Sequence, residues 1–159
     1  MTKDKIFAEL QKPFPKKAYK DINFGRKMTT IDAYYIVERL TEVFGPCGVG
    51  WGLCKETGCV SGVPDISVDA SCAVAYGALW YKIEDEVGYV VAAGDAKVMK
   101  GNFAEAYKKA LTNLMSKAAS YIGVGLSVYK GEGYDDPYLD QQSAAEKPAN
   151  SVFNRAKKS

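Results

Sequence analysis

Cations interleaved with aromatic rings are the residues of this chain best suited to chemistry, and the chemistry is the holding of a polyanion. In KKAYKDINFGRK, Lys16, Lys17, Lys20, Arg26 and Lys27 alternate with Tyr19 and Phe24. Single-stranded nucleic acid sites use this mixture, cations for phosphates and rings for bases. A solvated loop that buries its two rings gives the same text, and for this segment alone it is the commoner origin. A second set of polar positions lies in NFAEAYKKALTNLMSKAASYIGVG, residues 102 to 125, where Lys109, Asn113, Ser116, Lys117 and Ser120 share one side at helical spacing.

Other chemistries find less support. The chain has no histidine, which removes the usual general base and every nucleophile that depends on imidazole. Asp69, Asp95 and Glu84 to Glu86 are its carboxylate clusters and could seed a hard-cation site, although exposed strand and turn acids are far commoner. Cys47, Cys54, Cys59 and Cys72 form no CxxC pair, so free buried thiols are expected rather than zinc. FGPCGVGW is glycine-rich but lacks the GxxxxGK[ST] order of a phosphate loop. No catalytic residue, metal or cofactor is expected, and the chain reads as a non-enzyme.

The elements that must position these residues follow from periodicity. A short helix with Ile6, Phe7 and Leu10 on one side breaks at Pro13 and Pro15. Thr29 or Thr30 is expected to cap a second helix whose apolar face is Ala33, Ile36, Val37, Leu40, Val43 and Phe44, ending at Gly45-Pro46. From Trp51 to Ala96 the period becomes two, and Ile66, Val68, Ala70, Cys72, Val74, Tyr76, Ala78 and Trp80 share one parity of a long strand. Turn residues on either side imply hairpins, and Gly88 to Ala93 supplies a third strand. A long helix follows, capped by Asn102 with Glu105 placed for a capping box. Its packing face is Phe103, Tyr107, Ala110, Leu111, Leu114, Ala118 and Ile122, and Gly123 and Gly125 stop it.

At 159 residues, 47% hydrophobic and 25% charged, the chain suits one soluble domain. No apolar run approaches the roughly 20 residues that cross a bilayer, and the charged start MTKDKIFAEL does not read as a signal peptide, so a cytoplasmic location is expected. The net charge of +2 is mild, and residues 1 to 130 carry 17 basic against 14 acidic side chains. Residues 1–28 read as an N-terminal arm and basic segment, 29–130 as the core domain, and 131–159 as a flexible tail with Phe153 as its one candidate anchor. The fold class is α+β, an antiparallel β-β-β-α core with helices on one face of the sheet.

Element order and helix text together resemble the annealing domain of the Rad-fifty-two recombination family, including the Sak-type single-strand annealing proteins of phages, over roughly residues 25 to 130. Val43-Phe44-Gly45 and Gly50-Trp51 have the form of the family's helix end and the tryptophan after it. Lys108, Ala110, Leu111, Thr112, Asn113, Met115, Lys117, Ala118 and Gly123 stand without a gap in the frame of its long helix. The resemblance implies a curved sheet, an oligomeric ring and a groove in which two adjacent basic residues of that helix reach DNA phosphates. The second of these falls on Lys117 and the first on Ser116, a departure that removes a charge. A further basic position in the hairpin before the first long helix falls nearest Arg26 and Lys27, with Lys20 also in reach; either a neighbouring lysine such as Lys109 compensates for Ser116, or the strand is gripped more lightly.

The function so implied is ATP-independent binding of single-stranded DNA and annealing of complementary strands in recombination or repair. Its partners would be single-stranded DNA, further copies of the chain in a ring or helical filament, a host single-strand binding protein and a phage exonuclease, with no membrane. The competing expectations are a passive single-strand-binding or interaction module, and a carboxylate-metal nuclease around Asp69 and Asp95.

Overall fold

The Thr2 hydroxyl accepts a hydrogen bond from the Lys5 amide and opens helix α1, Lys3–Gln11, which stops before Pro13. The structure, a computed structural model, describes residues 1–23 and 27–129. Ile6 and Leu10 of α1, with Phe14 and Ala18 after it, are buried in the main core. The N-terminal segment is therefore built into the same core as the helices that follow. Phe7, expected on the packing side with Ile6, is 53% exposed.

A hairpin of β1, Tyr19–Asn23, and β2, Lys27–Ile31, leads into helix α2, Ala33–Phe44. The cap of α2 is Asp32, whose carboxylate accepts from the Tyr34 amide at 3.1 Å. Thr29 and Thr30, expected in that role, lie in the β2 ladder instead, and the Thr29 hydroxyl donates to Asp21 at 3.1 Å. Gly45, at φ 97°, ends α2 in a conformation that favours glycine. The Arg39 guanidinium donates to the carbonyls of Glu9, Leu10 and Lys12 at 3.0, 3.3 and 2.6 Å and lies 4.5 Å from the Phe14 ring centroid. One side chain of α2 thus satisfies the C-terminal carbonyls of α1 and places a cation at its negative end.

The main sheet is antiparallel. It comprises β3, Trp51–Cys54, β4, Asp65–Val68, β5, Cys72–Ile83, and β6, Glu86–Lys97. β6 pairs with β5 along its whole length, while β3 and β4 share the other edge of β5, opposite residues 78–81 and 73–76. The expected single strand from Ile66 to Trp80 is in fact two strands joined by a tight turn. The Asp69 carboxylate makes that turn by accepting from the Ser71 and Cys72 amides at 2.7 and 2.9 Å.

Helix α3, Phe103–Tyr121, packs on β5 and β6, and α4, Leu126–Tyr129, follows it. Asn102 caps α3 by accepting from the Glu105 amide at 3.2 Å, and Gly123 (φ 106°) and Gly125 (φ 65°) terminate it, as the sequence predicts. The Glu105 carboxylate does not complete a capping box but pairs with Lys108 at 2.7 Å. The surface under α3 is small: Ala73, Ala75 and Ala96 of the sheet meet Ala106, Ala110 and Leu114. A Cβ on Gly94 would overlap the backbone of Ala110 and Leu114. The odd-numbered Ala73 and Ala75 of β5 therefore face the helix, while of the apolar parity read in the sequence Tyr76 is 53% exposed and Ala78 and Trp80 are buried with Cys54. Beyond this close contact Ile36, Leu40, Leu79, Met115 and Val124 form the larger core. Each large apolar side chain there contributes about 1.5–3 kcal/mol. The fold is α+β with antiparallel sheets.

Candidate nucleic-acid interface

The proposed contacts lie on the β1–β2 hairpin and on α3, and the fold joins the two. Ile31, the last residue of β2, packs against Gly125, where a Cβ would meet the Ile31 side chain, and Gly123 beyond the end of α3 lies against Gln11 and Phe7 of α1. The basic N-terminal segment is thereby fixed to the C-terminal end of α3. Residues 1 to 31 hold eight basic and three acidic side chains, so the positive charge of the chain is concentrated there.

Lys117 is half-buried, with its ammonium 5.5 Å from the centroid of the Tyr121 ring. Tyr121 is 59% exposed and stands one helical turn further on. A cation beside an exposed ring is the local arrangement that a phosphate and a base can both use. Tyr121 carries no mark in composition or motif; its four-residue spacing from Lys117 is the signal that would have found it.

Ser116 is half-buried and its hydroxyl donates to the Thr112 carbonyl at 3.0 Å. Its proton is thus committed to the helix backbone, and only lone pairs face outward. Ser120, expected on the polar side, is buried and donates to the Lys117 carbonyl at 2.6 Å. A serine bonded back to its own helix can be buried without leaving its hydroxyl unsatisfied. Lys109 is exposed, and about 12 Å of helix rise separates it from Lys117. Asn113, between them, donates to the Asp95 carbonyl at 2.6 Å. It thereby ties α3 to the edge of β6.

Lys20 forms an ion pair with Asp32 at 2.8 Å. The Lys20 ammonium and then the Tyr34 amide hold the Asp32 carboxyl below its ordinary value. Lys27 opens β2 opposite Asn23. Arg26 lies outside the described residues, as does the segment from 130 onward with Phe153. Tyr34, at 83% exposure, is a second ring open to solvent, on a cleft that Lys17 shares with Glu38 and Glu42.

At the start of α3, Phe103 and Tyr107, expected to pack, are half-exposed and form an open apolar cleft with Val68. Of the two carboxylates of the nuclease expectation, that of Asp69 is engaged in its own turn, whereas at Asp95 it is the backbone carbonyl that is bonded. The Cys72 amide, with the Ser71 hydroxyl and amide, holds the Asp69 carboxyl below its ordinary value. Among the described residues, no three of His, Cys, Asp and Glu are grouped to hold a metal ion. Cys47 and Cys59 are exposed thiols, Cys54 is buried, and all four cysteines are free. Among the described residues no helix is long and apolar enough to cross a membrane. No protein-family model matches the chain, and no curated protein and no solved structure is significantly similar to it.

Proposed function

We propose that this protein binds single-stranded DNA without sequence preference and anneals complementary strands without ATP, as an oligomer in which the surfaces around Lys117 line up. The observation that supports this best is the Lys117–Tyr121 pair at the end of α3, against which the basic N-terminal segment is docked. Lysines release counterions from the phosphates, and the ring stacks on a base while leaving pairing edges free.

One copy grips lightly. Lys20 is neutralised by Asp32, and Ser116 offers no charge where the resembling family has a cation. Repetition of weak sites along one strand turns them into useful affinity, which is the physical reason to expect a ring or filament. Retention of a correct partner strand then comes from duplex stacking, about 1.4 kcal/mol per step, with no contribution from the protein to sequence choice. The test is the rate at which complementary oligonucleotides pair with and without the protein. Acceleration supports annealing, whereas tight binding that slows pairing supports a passive coat.

A further inference from the structure

Among the described residues, the outer edge of β6, Glu86–Lys97, carries no further strand, and only β5 pairs with it. Of its outward groups the Asp95 carbonyl is taken by Asn113 at 2.6 Å. From Val87 to Ala93 it carries no charged residue, the register runs without a bulge, there is no proline, and its one lysine is the final residue. The direction of its backbone groups follows from the turn. Ile83 and Glu86 close a two-residue loop, so the even-numbered residues of β6 bond to β5 and the odd-numbered ones point outward. The Val98 amide, bonded to the Ser71 carbonyl at 2.9 Å, keeps this parity. Asn113 gives an independent check, because it reaches the Asp95 carbonyl from outside the ladder.

The charges at the two ends of the strand are opposite. Glu84 and Asp85 precede it and Glu86, paired with Lys3 at 2.9 Å, begins it, while Lys97 closes it beside Asp95 and Lys100 follows. A parallel neighbour would set like charges together, and an antiparallel copy sets each acidic end beside a basic one. Continuity of the sheet faces further requires odd residues to meet odd residues. The register that also sets Asp85 opposite Lys97 places Val91 opposite Val91 and Tyr89 opposite Ala93.

We propose that β6 is the contact edge for a second copy of this chain, joined antiparallel about a two-fold axis through Val91 to make one continuous sheet. Val91 lies at the centre, 64% exposed on the uncovered face. Such an isologous contact closes on itself, so the dimer is the unit from which any ring or filament would be assembled. The inference stands on strand geometry and charge, and it holds or fails separately from DNA annealing.

Sedimentation of the full-length chain tests it. Val91→Pro removes an outward amide and leaves the β5 ladder intact, as an edge strand tolerates. The variant is expected to sediment at half the mass of the wild-type unit with an unchanged circular dichroism spectrum. A folded variant that sediments like wild type, or a wild type that is monomeric at micromolar concentration, overturns the proposal. Should Val91→Pro unfold, the charge pair decides. Asp85→Lys and Lys97→Asp are each expected to weaken association severalfold and together to restore it, and three variants that associate alike overturn the register.

Discussion

The Lys117 ammonium rests 5.5 Å from the ring centroid of Tyr121, a solvent-exposed aromatic one turn along the same helix. If this pair meets DNA, its two members fail differently. Lys117→Ala is expected to weaken single-strand binding and to lower the slope of log affinity against log salt by about 0.7. Tyr121→Ala is expected to cost about 1–3 kcal/mol of binding with the slope unchanged. Fluorescence titrations at several salt concentrations separate the two, and unaltered binding in both variants would remove this end of α3 from the interface.

Ser116 offers the converse test. Its hydroxyl is bonded to the Thr112 carbonyl, and the site lacks the charge that the resembling family places there. Ser116→Lys is expected to raise affinity for single strands and to steepen the salt slope by about 0.7. An unchanged slope would show that position 116 does not face the strand.

The Lys20–Asp32 pair links folding to binding. The Asp32 carboxyl is held below its ordinary value of 3.8 by Lys20 and then by the Tyr34 amide. A carboxylate lowered in the fold stabilises it above the ordinary value, and that contribution is lost as pH falls through the lowered one. Asp32→Asn keeps a good cap but loses the charge. Its melting temperature is therefore expected to lie below that of wild type near neutral pH and to converge with it in acid. The same variant releases Lys20, so single-strand binding is expected to tighten if Lys20 belongs to the site.

The fixing of the basic segment rests on Arg39. Its three bonds to the carbonyls at the end of α1 are made by a guanidinium that is almost buried. Arg39→Ala is expected to cost about 1.5–3 kcal/mol, the range for bonds to a charged group. It should also expose residues near Lys12 to protease before the rest of the chain. Equal stability of the variant would show that α1 is held by its apolar side alone.

The close approach of α3 to the sheet depends on Gly94, where a Cβ would overlap the backbone of Ala110 and Leu114. Gly94→Ala is expected to destabilise by about 1–3 kcal/mol or more, measured by urea unfolding.

These relationships also explain what could be read from the sequence. The helices were legible because their stops and the Asn102 cap are local: Gly45, Gly123 and Gly125 adopt positive φ, and Asn102 accepts the amide three residues on. The turn at Asp69 was hidden, since Ile66, Val68, Ala70 and Cys72 alternate straight through it and the turn is made by a carboxylate rather than by glycine or proline. Which parity of β5 lies under α3 was not legible, because both are apolar and both are buried in part: α3 comes so near that the small Ala73 and Ala75 lie beneath it, while Ala78 and Trp80 are buried with Cys54. On α3 the outward placement of Lys109 and Asn113 was legible from helical spacing, but the commitment of Ser116 and Ser120 to backbone carbonyls depends on side-chain direction, which spacing does not carry.

The central claim is tested most directly by mixing two complementary labelled oligonucleotides, without ATP, in the presence and absence of the protein and following the rate of pairing. The account predicts a faster rate with the protein, diminished by Lys117→Ala and by added salt. A rate that the protein leaves unchanged, or slows, would contradict it.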